Sequence, residues 1–79
     1  MTRISFARAI KERKFVDAAT IAAREEHGSR KAKTLQRAMQ AAMEAREAEQ
    51  ARSIALKYGD YIPDSMVNDL AKLQLELAR

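Results

Sequence analysis

Three strong helix breakers, Gly28, Gly59 and Pro63, punctuate the 79 residues of this chain and divide it into two long stretches and one short one. Between them the chain is dense in Ala, Leu, Glu, Lys and Arg, with alanine alone about a fifth of the residues. Alanine loses no side-chain entropy in a helix and the unbranched residues lose little, so these stretches read as helices. Gly28 is placed to end a helix in the left-handed conformation, with Ser29 as N-cap of the next; Gly59 takes the first of these roles again, and Pro63 opens the third helix. The expected elements are helix 1 over about 5–27, helix 2 over about 30–58 and helix 3 over about 64–78.

The loop at His27-Gly28-Ser29 is short, so helices 1 and 2 are expected as antiparallel neighbours. Residue numbers that sum to about 57 then face one another. Leu35 falls near Ala22, Met39 near Ala18 and Ala42 near Phe15, each large side chain against a small one. Helix 3 carries the stripe Met66, Leu70, Leu73 and Leu77, which falls opposite the alanines of helix 2. The predicted fold is therefore all-α: one domain over 1–79, a long antiparallel helical hairpin with a shorter third helix packed on its open end. No internal repeat is read.

A chain this short buries a modest core, and it has no cysteine to supply a disulfide or a thiolate metal ligand. Helix 3 is expected to stop near Ala42, which leaves the far end of the hairpin thinly covered. Ile21, Leu35, Met39 and Met43 are the expected apolar anchors of that end. Their expected cover is a protein partner or a second copy of the chain, giving a dimer.

Charge is the second constraint. Residues 1–40 hold ten Lys/Arg against four acids, a net of +6, and residues 41–79 hold five against seven, a net of −2. Part of this asymmetry is expected to close internally, with Glu44 near Arg13, Glu49 near Arg8, and Arg30 and Lys31 near Glu25 and Glu26. Yet Arg30, Lys31 and Lys33 crowd the start of helix 2, where the macrodipole prefers acids. With Arg24 and Arg37 they form the candidate basic site, suited to steering a protein partner or to holding phosphates.

The stretch from Ile21 to Arg30 is loosely similar to a helix-turn-helix. The stretch from Arg3 to Met43 is loosely similar to the ribbon-helix-helix repressors, through Ile4/Phe6 and Leu35-Gln36-Arg37-Ala38-Met39. The spacing from Gly28 to Leu35 departs from the first pattern and the length of helix 2 from the second, so neither family is assigned.

Enzyme chemistry has no visible carrier. His27 is the one histidine and lies in a loop, no glycine-rich phosphate loop is present, and Glu44, Glu47 and Glu49 point to different helix faces. No catalytic residue, metal ligand, cofactor or small-molecule substrate is read. The expected function is a non-enzymatic, protein-docking regulator, inhibitor or adaptor. A dimeric nucleic-acid-binding regulator is the alternative, and a structural subunit of a larger assembly the third reading. No apolar run reaches the roughly 20 residues of a membrane span, and a cytoplasmic protein is expected.

Overall fold

A computed structural model describes residues 5–78, and all regular structure among them is helical. The elements are α1 (Phe6–Lys11), α2 (Phe15–Glu25), α3 (Ser29–Glu44), α4 (Ala48–Lys57), a 3-10 turn (Gly59–Tyr61) and α5 (Asp64–Leu77). The long helices expected over about 5–27 and 30–58 are each interrupted, the first at residues 12–14 and the second at residues 45–47. The expected third helix survives as α5.

Both interruptions have the same construction. Arg13 and Arg46 adopt left-handed backbone, with φ of 62° and 61°. At the first, Arg13 N–H donates to the Ile10 carbonyl (3.0 Å) and Lys14 N–H to the Ala9 carbonyl (2.8 Å). At the second, Arg46 N–H donates to the Met43 carbonyl (3.0 Å) and Glu47 N–H to the Ala42 carbonyl (2.8 Å). This pair of bonds is the Schellman closure of a helix C-terminus, here with arginine where glycine is usual. The same spacing recurs in the core: Ala9, Ala18 and Ile21 are buried around the first bend, and Ala42, Ala51 and Ile54, each 33 residues later, around the second. The chain therefore holds a structural repeat that its side chains conceal.

α2 and α3 form the most extensive helix pair, and Phe15, Ala18, Ala22, Leu35, Met39 and Ala42 are all buried. Alanines on both helices let the backbones approach and leave room for the few large side chains. The bend at residues 45–47 folds α4 back onto both α2 and α3. α5 then adds Met66, Leu70 and Leu73 to the core, whereas Leu77 stays half-exposed.

The two glycines act differently from expectation, whereas Pro63 opens the last helix as expected. Gly28 has φ 62° but precedes α3 as its N-cap position, and Ser29 is the first helical residue and caps nothing with its side chain. Gly59 has no left-handed φ and begins the 3-10 turn. Pro63 is the N-cap position of α5; its carbonyl accepts from Met66 N–H at 3.0 Å.

The far end of α2–α3 is covered from within the chain. The 3-10 turn packs on α3, Gln36 Nε2 donates to the Tyr61 carbonyl (2.9 Å), and Ile62 is buried. Leu35 and Met39 consequently have no accessible surface and Ile21 is buried, while Met43 is half-buried against the same core. The expectation that these residues form a thinly covered docking surface is overturned for Ile21, Leu35 and Met39, while Met43 stays partly exposed: the segment between α4 and α5, read only as a turn, supplies the missing cover.

Candidate nucleic-acid interface

The expected basic residues belong to a different kind of surface. Gly28 starts α3 abruptly, and no acid stands in its first turn. Because α3 buries Leu35, Ala38, Met39 and Ala42, helical spacing turns Arg30, Lys33 and Arg37 outward along one ridge, at intervals of three and four. They span about 10 Å along the helix axis.

Open grooves flank this ridge. Phe6, Glu26, Arg30, Lys33, Thr34 and Arg37 line one, between α1 and α3. Lys33, Gln36, Arg37, Gln40, Glu44 and Met66 line the other, toward α5. Lys33 and Arg37 thus face both grooves, and Glu26 and Glu44 mark the ends of the basic surface.

The five candidate cations divide by their neighbours. Arg30 lies 3.7 Å from Glu26, with its side chain 82% exposed, and Arg24 lies 3.9 Å from Glu25. Lys31 takes a different partner from the expected acids: its Nζ stands 5.0 Å from the centre of the Tyr61 ring. Lys31 therefore helps seat the covering turn and belongs partly to the fold. Lys33 and Arg37 are exposed and have no acid within 4.0 Å among the described residues.

The internal neutralisation expected elsewhere is rearranged. Arg8 bonds Glu12 (2.6 Å) rather than Glu49, and Lys14 lies 3.6 Å from the same carboxylate. Arg13 reaches Glu47 (3.5 Å) and donates to the Ala45 carbonyl (3.0 Å) rather than meeting Glu44. The bends shift the register by about one helical turn there, and exposed pairs of this type contribute roughly 0–1 kcal/mol each. The hydrogen bond from Arg8, aided by the charges of Arg8 and Lys14, holds the Glu12 carboxyl below its ordinary value.

Phe6, Gln36 and Tyr61 are site residues that sequence reasoning missed. Phe6 lies in α1, not in a strand, and Ile4 falls outside the described residues. The tyrosine and proline bracketing Gly59 were the available signal for the covering turn. His27 is exposed in the turn before α3, and no group of three or more His, Cys, Asp or Glu gathers among the described residues. No helix among them is long and apolar enough to cross a membrane.

No protein-family model, no curated protein and no solved structure matches the chain.

Proposed function

We propose that the protein is a non-enzymatic binding protein of the cell interior that holds the phosphate backbone of a nucleic acid on the α3 ridge. One observation carries this reading: Arg30, Lys33 and Arg37 project from a single rigid helix edge, and the last two are not neutralised by neighbouring acids among the described residues. Cations at fixed helical spacing neutralise successive phosphates, and their affinity comes from counterion release rather than base reading. Burial of Leu35 and Met39 weakens the protein-docking alternative at this end of the molecule.

The test is binding of a random-sequence DNA duplex across a salt series. The wild-type chain is expected to bind with a steep negative salt slope. Lys33→Glu with Arg37→Glu is expected to weaken binding strongly and to flatten the slope by about one unit per lost phosphate contact. Duplex binding that survives the double substitution, with the helical signal unchanged, would sink this reading.

A second reading, a protein-docking regulator or adaptor, has its own support on α5. Val67 (43%), Leu75 (68%) and Leu77 (45%) are exposed there although large and apolar. Val67, Ala71 and Leu75 follow one another at intervals of four, on a stripe separate from the buried Met66, Leu70 and Leu73. Leu75→Lys is expected to abolish a protein complex of this kind and to leave duplex binding intact.

A further inference from the structure

We infer that the bend between α3 and α4 is an exchange hinge, through which two copies of the chain swap their C-terminal arms (α4, the 3-10 turn and α5). The hinge sequence Glu44-Ala45-Arg46-Glu47-Ala48 contains no glycine, proline or β-branched residue, and each of its residues is a good helix former. Left to local preference, it continues the helix. The structure instead holds Arg46 at φ 61°, a conformation that disfavours any residue with a Cβ. Nothing in the Arg46 side chain compensates: among the described residues it reaches only Glu76, at 3.7 Å, and both side chains are more than half exposed. The bend is therefore imposed by what the arm packs against.

Those contacts do not require that the arm belong to the same chain. α4 packs on α2 and α3, the 3-10 turn packs on α3, and Gln36 and Gln50 bond across the boundary to the Tyr61 carbonyl and the Phe15 N–H. A copy whose hinge straightens extends α3 and α4 into one helix over 29–57, about 43 Å long. Its arm leaves a seat that an identical arm from a second copy fills with the same contacts. The closed monomer and the exchanged dimer then differ chiefly at the hinge, where straightening relieves two strained arginines per dimer. Short strained hinges favour this form of association. Straightening also releases the Arg13 side chain from two groups of the hinge itself, the Ala45 carbonyl (3.0 Å) and the Glu47 carboxylate (3.5 Å), both exposed contacts.

The test incubates the full chain at millimolar concentration in mild denaturant, returns it to buffer, and measures mass by size-exclusion light scattering. Spin labels at Arg37→Cys and Lys57→Cys, in a chain diluted with unlabelled chain, report the intrachain distance. Expected are a dimer that persists on dilution, a distance of about 30 Å in that dimer and a shorter one in the monomer. Arg46→Gly keeps the bend and removes its strain, so it is expected to lower the dimer association constant at least about tenfold. Arg46→Ala keeps the strain and is expected to dimerise as wild type does. A chain that stays monomeric, a dimer with the monomer's intrachain distance, an undiminished dimer in Arg46→Gly or a lost one in Arg46→Ala would each overturn the proposal.

Discussion

Gln50 on α4 caps the first turn of α2 by accepting the Phe15 backbone N–H at 2.7 Å. The same Oε1 accepts from Val16 N–H at 3.2 Å, while Nε2 donates to the Arg13 carbonyl (3.0 Å) and to Glu47 Oε2 (2.9 Å). Lys14, the N-cap residue of α2, makes no side-chain cap bond. A helix start needs partners for its first N–H groups, and here a residue 35 positions away supplies them. One amide side chain thereby fastens the two bends together.

Gln50→Ala removes all four bonds at once. It is expected to destabilise the fold by about 1–2 kcal/mol, the range for loss of a helix cap. Gln50→Glu keeps the acceptor for Phe15 and Val16, loses the donor to Arg13 and places a second carboxylate beside Glu47. It is expected to fall between wild type and Gln50→Ala at neutral pH. Urea unfolding of the three proteins, followed by circular dichroism, checks the order.

Met39 separates the core from the interface. As a fully buried side chain, it is expected to cost about 2–5 kcal/mol on change to Ala, and Met39→Asp is expected to unfold the chain. Lys33→Glu and Arg37→Glu, on the exposed ridge, are expected to change stability by no more than about 0.5 kcal/mol. Thermal melts settle this before any binding assay is interpreted. A stable Met39→Asp protein would restore this residue to the surface.

The legible part of the fold is the part governed by local rules. The stripe Met66, Leu70 and Leu73 specifies α5, and the short loop at Gly28 together with large-against-small pairing specifies the α2–α3 contact. The bends at Arg13 and Arg46 were not legible, because arginine is a good helix former and their left-handed conformations are held by distant groups such as Gln50 and Glu47. Alanine hides the rest: buried Ala51 and exposed Ala71 are the same letter, so the repeat around the two bends left little more than Ala9/Ala42, Arg13/Arg46, Ala18/Ala51, Ile21/Ile54 and Ala22/Ala55 as a trace. The basic ridge was legible as charge. Its separation from the apolar residues depended on the covering turn at Tyr61 and Ile62, which no periodicity announces.

Glu12 gives the fold a small dependence on acid. Its carboxyl is held below the ordinary value, first by the hydrogen bond from Arg8 and then by the charges of Arg8 and Lys14. A carboxyl depressed on folding contributes its stability above its unfolded value and loses it as pH falls through the lower, folded one. The α1 end of the molecule is therefore expected to loosen only below the ordinary glutamate range. An NMR titration of the Glu12 carboxyl is expected to show a depressed midpoint, and Arg8→Ala to return it toward normal.

The two glycines are expected to respond in opposite ways to alanine. A Cβ at Gly28 meets nothing within 4 Å, so its cost is purely conformational. With φ 62° and ψ −142° the backbone lies where only glycine is comfortable, and Gly28→Ala is expected to cost about 1–3 kcal/mol. Gly59 is equally open and has no left-handed φ. There alanine restricts the unfolded chain without straining the folded one, so Gly59→Ala is expected to be neutral or to stabilise by up to about 1 kcal/mol. Differential scanning calorimetry of both variants tests the assignment. If the two melt alike, Gly28 is not held in the conformation that sets the entry of α3, and with it the direction of the Arg30–Lys33–Arg37 ridge.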